Sequence, residues 1–181
     1  MNTKSYKIML FGMSGVGKTE FINRINGSIF EPKHYPSTGY IMYLIRYKTN
    51  INIIIEFEVW DGPQSGPPKG LGPQSGPPKG LGPKSGPPKG LFYDNAVACI
   101  GMMDTSKISR KIVHEEYEKI GNKLPVVFVV NKCETKQNHS KLFPQKAVFI
   151  SVKENINVEL PLLILARQLC NNPNLLLTEI V

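Results

Sequence analysis

Residues 12–19 read Gly-Met-Ser-Gly-Val-Gly-Lys-Thr and directly follow the apolar run at residues 6–11. This is the G-x-x-x-x-G-K-[ST] phosphate loop, whose glycines let successive backbone N–H groups turn towards an anion. Such a loop binds phosphate where a buried strand leads into it and a helix leads out of it. Lys18 is then expected to reach the β- and γ-phosphates, and the Thr19 hydroxyl to bind Mg²⁺. The alternative is a Gly-rich turn without a ligand. The residues expected to bind nucleotide here are Gly12, Ser14, Gly15, Val16, Gly17, Lys18 and Thr19.

Strand-like and helix-like segments alternate along the 181 residues, which predicts an α/β fold. The hydrophobic fraction of 41% and charged fraction of 20% are ordinary for a single folded domain. We predict one P-loop NTPase domain with a mostly parallel six-stranded sheet flanked by helices. Strands are predicted at residues 6–11, 40–47, 51–60, 96–103, 125–130 and 147–150, with a hairpin turn at 48–50, and helices at 18–25, 108–120 and 160–169.

A tandem repeat interrupts this pattern between residues 62 and 91. The decapeptide GPQSGPPKGL occurs twice, and a third copy differs by Lys84 in place of glutamine. Glycine and proline at this density cannot propagate a helix and offer little apolar surface, so the repeat predicts a mobile, partly polyproline-II loop. The predicted organisation is therefore a domain over residues 1–171, interrupted at 62–91, with a short C-terminal tail at 172–181.

Four further segments place polar groups at predicted strand ends or in the loop after the first helix. The Thr38 hydroxyl is placed to approach Mg²⁺ when a γ-phosphate is present, and Asp61 to hold the Mg²⁺ shell through water. Asn131-Lys132-Cys133-Glu134 follows a predicted strand, and a carboxylate at Glu134 can accept from the ring N–H and the amino group of guanine. Ser151-Val152-Lys153 can present a backbone N–H to the guanine oxygen. The pattern therefore predicts binding of GTP or GDP with Mg²⁺. The expected base-side residues are Asn131, Lys132, Glu134, Ser151, Val152 and Lys153, and the expected metal site is Thr19, Thr38 and Asp61.

This order of motifs resembles the Ras-superfamily small GTPases and, among them, the Ran family most. The resemblance extends to Phe57-Glu-Val-Trp-Asp61, Ala96-Val-Ala-Cys-Ile100, Leu165-Ala-Arg-Gln-Leu169 and Asn172-Pro-Asn-Leu175. It implies a guanine-nucleotide switch in the nucleus and cytoplasm, a role in nuclear transport, and importin-type receptors or Ran regulators as partners.

The chain departs from the Ran pattern at positions where the family contacts the γ-phosphate, orients the attacking water or contacts the base. The family follows its strand-end aspartate with Thr-Ala-Gly-Gln-Glu-Lys-Phe-Gly-Gly-Leu, where this chain has the repeat. In the matching register, Gln64 replaces the glycine that contacts the γ-phosphate. Ser65 replaces the glutamine that orients the attacking water. The catalytic candidate is therefore Gln64 or Ser65. Ser14 replaces a glycine and Glu134 an aspartate. These departures predict weak or absent GTP hydrolysis.

Other features bear on partners and location. The net charge of +8 comes from scattered lysines without interleaved aromatic residues, so we expect no nucleic-acid partner. The cysteines have no metal or disulfide spacing, so we expect free thiols. The ends carry no signal peptide or prenylation cysteine, so we expect no membrane anchor. We also expect a monomer. Two alternatives stay open: a competent GTPase with its water-orienting group elsewhere, and a nucleotide-independent scaffold that uses the Gly/Pro loop.

Overall fold

A mixed sheet of seven strands forms the centre of the computed structural model, which describes residues 2–27, 41–62, 95–120, 123–135 and 147–180. Across the sheet the strand order is β6-β5-β4-β1-β3-β2-β7. The pairs β1–β3, β1–β4, β4–β5 and β5–β6 are parallel, whereas β2 runs antiparallel to both β3 and β7. The strands are β1 (Asn2–Phe11), β2 (Ile41–Thr49), β3 (Ile53–Asp61), β4 (Ala98–Met103), β5 (Val126–Val130), β6 (Val148–Phe149) and β7 (Leu177–Ile180).

Helices cover both faces of the sheet. Helices α1 (Lys18–Ile25) and α3 (Leu160–Leu169) pack their apolar sides on one face, and α2 (Lys107–Ile120) packs on the other. Every residue of β4 is buried, as expected for a central parallel strand covered on both sides. The α/β class is as predicted. No helix within the described ranges is long and apolar enough to cross a membrane.

The strand count and one turn differ from the sequence prediction. A seventh strand, β7, lies within the segment 172–181; four residues are too few for a periodic signal, and the strand forms by pairing with β2 at Tyr47, Lys48 and Thr49. The hairpin turn follows Thr49 instead of beginning at residue 48. Asn52 there has a φ of 58°, a left-handed conformation that asparagine tolerates, and the Thr49 hydroxyl donates to the Ile53 carbonyl at 2.9 Å.

Candidate nucleotide-binding site

The carboxyl ends of the parallel strands meet at one edge of the sheet, where α/β folds bind their ligands. β1 is central: β3, β2 and β7 lie on one side of it, and β4, β5 and β6 lie on the other. Consequently Gly12, Asp61, Asp104, Asn131 and Ser151 all lie at or just beyond this edge. The motifs that the sequence separates by more than a hundred residues are thus brought to one place.

The loop between β1 and α1 requires glycine for two different reasons. Gly12, Gly15 and Gly17 have φ values of 142°, 79° and 98°, which side chains disfavour. A Cβ on Gly12 would lie 2.0 Å from the Met102 carbonyl oxygen, and one on Gly17 would lie 2.5 Å from Asn131 Nδ2, whereas none of the described residues lies within 4 Å of a Cβ on Gly15. Close packing therefore requires glycine at positions 12 and 17, and among the described residues the open side of the loop is at Gly15. Ser14 is half-buried in the same loop.

Two charged groups are buried beneath the loop. Lys18 Nζ donates to the carbonyl oxygens of Gly12 at 3.0 Å and Met13 at 3.3 Å, and Thr19 Oγ1 donates to Asp61 Oδ2 at 2.6 Å. Burial lowers the pKa of Lys18, and the Asp61 charge opposes that shift. Burial raises the pKa of Asp61, and the Thr19 hydrogen bond and the Lys18 charge oppose it.

The second carboxylate oxygen of Asp61 is available to a further ligand. Asp61 Oδ1 is buried and accepts no hydrogen bond from the described part of the chain. A buried carboxylate oxygen without a donor is costly, and a hydrated cation beside the Thr19 hydroxyl would compensate it. Thr19 and Asp61 therefore fit the Mg²⁺ site predicted from the sequence. Thr38, the third predicted member, lies outside the described residues.

Asn131 joins the phosphate loop to the loop after β6. Its Nδ2 donates to the Val16 carbonyl at 2.8 Å, and its Oδ1 accepts from the Val152 N–H at 3.0 Å. The residue is 3% exposed, so both hydrogen bonds are shielded from water. The sequence predicted a base-side role for Asn131, and the structure shows it connecting two of the predicted segments.

Lys132 extends from the end of β5 over the phosphate loop. Its Nζ donates to the Gly15 carbonyl at 2.8 Å and lies 3.8 Å from Asp104 Oδ2. Glu134 follows in a short 3₁₀ helix, Cys133–Thr135, with its side chain exposed. The contact between Lys132 and Gly15 is a second direct connection between the Asn131–Glu134 segment and the phosphate loop.

The loop formed by residues 151–153 is held by its own backbone and by α1. Ser151 and Ile156 exchange two backbone hydrogen bonds, and the guanidinium of Arg24 donates to the carbonyls of Val152 at 3.0 Å and Lys153 at 2.8 Å. The N–H groups of Ser151 and Val152 are thus engaged, by Ile156 and Asn131 respectively. Lys153 therefore carries the N–H of this triplet that makes no hydrogen bond within the described ranges.

The structure brings most of the predicted site together and adds two residues. Gln64 and Ser65, the catalytic candidates, lie outside the described residues, as do the repeats from residue 63 onward. The sequence prediction missed Arg24 and Asp104. Arg24 gave no signal, because its contacts are more than a hundred residues away; Asp104 begins Asp-Thr-Ser directly after a predicted strand, a pattern that could have marked it. No protein-family model matches the sequence.

Proposed function

We propose that this chain is a guanine-nucleotide-binding protein, a Ran-like small GTPase of the P-loop NTPase fold that binds GTP or GDP with Mg²⁺. The observation that carries the proposal is the pair of hydrogen bonds from Asn131 to Val16 and from Lys132 to Gly15. A phosphate loop alone would suit many nucleotides. The Asn131–Glu134 segment is hydrogen-bonded to that loop and carries an exposed carboxylate at Glu134, so it offers a binding position for a nucleotide base next to the phosphates.

Each group has a separate role in this proposal. The uncapped N-terminus of α1 and the loop N–H groups bind the phosphates together with Lys18. Thr19 and Asp61, the latter through water, hold Mg²⁺, which when bound neutralises phosphate charge. Glu134 accepts from the ring N–H and amino group of guanine. Because the N–H groups of Ser151 and Val152 are engaged, we assign the contact with the guanine oxygen to the Lys153 N–H.

The wider biological role follows from the resemblance to Ran and is part of the proposal. The protein would act as a monomeric switch in the nucleus and cytoplasm, with importin-type receptors or Ran regulators as partners and no nucleic-acid partner. GTP hydrolysis would be weak or absent, because Ser14 stands in the phosphate loop and neither Gln64 nor Ser65 matches the family in its role. Such a protein would remain in one nucleotide state and compete for the receptors of an active switch.

Titration with fluorescent GDP in the presence of Mg²⁺ tests this function. Lys18→Ala should weaken binding by at least about a hundredfold, because it removes a buried charge from the β- and γ-phosphate position. Lys4→Ala, at an exposed position of β1, is the matched control and should bind like the parent. Equal affinity of the two variants would refute the phosphate-loop assignment.

Two further measurements separate the alternatives. Chromatography of the nucleotide released from the denatured protein should show GDP or GTP; a preparation without nucleotide that also fails to bind added GDP would favour the scaffold. Single-turnover GTP cleavage should be slower than the intrinsic Ras rate of about 3–5 × 10⁻⁴ per second. A rate at or above that value would favour the competent GTPase.

A further inference from the structure

We infer that Asp104 is a positioning residue of the nucleotide site, and that its carboxylate holds the ammonium group of Lys132 over the phosphate loop. The inference rests on the proposed function, because Lys132 matters here as a nucleotide-site residue. It adds a residue that none of the site motifs includes.

The two carboxylate oxygens of Asp104 have different partners. Oδ1 accepts from Ser109 Oγ at 2.7 Å and from the Ser106 N–H at 2.9 Å, both at the start of α2. Oδ2 lies 3.8 Å from Lys132 Nζ. The α2 contacts therefore orient the carboxylate, and its second oxygen faces the lysine.

The carboxylate is charged at neutral pH. Burial raises the pKa of Asp104, but the hydrogen bonds from Ser106 and Ser109 and the Lys132 charge outweigh it and hold the pKa below its usual value. Its side chain is 17% exposed, whereas that of Lys132 is 45% exposed. A fixed, sheltered anion is thus paired with a longer and more exposed cation, so the aspartate constrains the lysine more than the reverse.

The backbone at Lys132 supports a functional position for its side chain. Its φ of 62° lies in the left-handed region. The other non-glycine residues with positive φ in the described ranges are all asparagines, at positions 52, 95, 155, 157 and 171. A lysine in this conformation is strained, and such strain is found most often at functional sites. The conformation directs the lysine to Gly15 and Asp104, which lie on different strand ends from its own.

A double-mutant cycle on fluorescent GDP affinity tests this role. Asp104→Asn keeps an oxygen for the α2 hydrogen bonds and removes the charge, so we expect GDP binding about three- to fivefold weaker at low salt. The difference should shrink at about 0.5 M salt, because the lysine is half-exposed. Lys132→Met should bind GDP more weakly than the parent, and adding Asp104→Asn to it should change the affinity no further. Asp104→Glu should recover part of the affinity.

Glu115→Gln is the matched control, because it removes a carboxylate charge from an α2 ion pair of the same length, 3.8 Å to Lys111, that takes no part in the proposed site. Its GDP affinity should differ from that of the parent by less than twofold. The inference is overturned if the parent binds GDP and Asp104→Asn binds equally well, or if Asp104→Asn has the same effect with and without Lys132; in both results the proposed function stands. If the parent itself binds no guanine nucleotide, both the proposed function and this role are refuted.

Discussion

The side-chain amide of Asn131 donates to the backbone carbonyl of Val16 at 2.8 Å, across 115 positions of the sequence. The same side chain accepts from the Val152 N–H. A single buried amide thus ties the end of β5 to the phosphate loop on one side and to the loop after β6 on the other. Displacement of the phosphate loop would therefore move the residues assigned to the base.

Asn131→Asp should lower the free energy of unfolding by about 2–3 kcal/mol. The substitution replaces the amide donor with a carboxylate oxygen, so the buried Val16 carbonyl loses its hydrogen bond and lies next to another acceptor. The acceptor for Val152 is retained. Urea denaturation measures the change. Asn157→Asp is the control: it removes the same kind of donor, from a hydrogen bond to the Phe149 carbonyl at an exposed site, and should cost less than about 1 kcal/mol. Equal losses would contradict the buried role of Asn131.

Alanine at Gly12 and at Gly15 should have different effects on stability. At Gly12 the new Cβ would collide with the Met102 carbonyl, so we expect a loss of more than about 3 kcal/mol or failure to fold. At Gly15 no described residue lies within 4 Å of the new Cβ, so we expect alanine to meet the left-handed φ alone, at a cost of about 1–2 kcal/mol. Thermal unfolding monitored by circular dichroism compares them. A Gly12→Ala variant as stable as Gly15→Ala would show that β1 and β4 are not packed as described.

Lys132→Asn should be more stable than Lys132→Ala by about 1 kcal/mol, because asparagine tolerates the left-handed φ of 62° and alanine does not. Both substitutions remove the hydrogen bond to Gly15, so both should weaken GDP binding. Urea denaturation and GDP titration of the two variants separate strain from function. Indistinguishable unfolding free energies would argue against backbone strain at this position.

Local patterns in the sequence predicted the glycine-rich loop between β1 and α1 and, within the described ranges, the three helices and six of the seven strands, because each element combines an apolar period with a recognisable start or end. That the loop binds phosphate stays a prediction. Such patterns do not predict the tertiary contacts that assemble the site. Arg24 donates to the Val152 and Lys153 carbonyls, and Lys132 donates to the Gly15 carbonyl. These partners are more than a hundred positions apart, so the local spacing of residues carries no signal for the contacts. β7 likewise depends on pairing with β2 and not on its own four residues.

The acid stability of the protein should depend in part on Asp104. Although burial raises its pKa, the hydrogen bonds from Ser106 and Ser109 hold the pKa below the usual value of 3.8. The folded state therefore favours the ionised form. The stabilisation is complete above the pKa of the unfolded aspartate and is lost as the pH falls towards the lower pKa of the folded state. The unfolding free energy of Asp104→Asn should consequently approach that of the parent as the pH falls from 5.5 to 2.5. A constant difference over this range would contradict the lowered pKa.

Glu134→Asp should sharpen the selectivity for guanine. The Glu134 side chain is exposed on the 3₁₀ helix, and it is one methylene longer than the aspartate of the Ran pattern. A carboxylate that must adjust to reach the ring N–H and the amino group makes poorer hydrogen bonds, which costs about 1–2 kcal/mol or roughly tenfold in affinity. Competition against fluorescent GDP should therefore show tighter GTP binding by Glu134→Asp and unchanged ATP binding. Glu118→Asp, the same change at an exposed position of α2, should alter neither affinity. If Glu134→Asp binds GTP and ATP with equal affinity, the base does not contact this carboxylate.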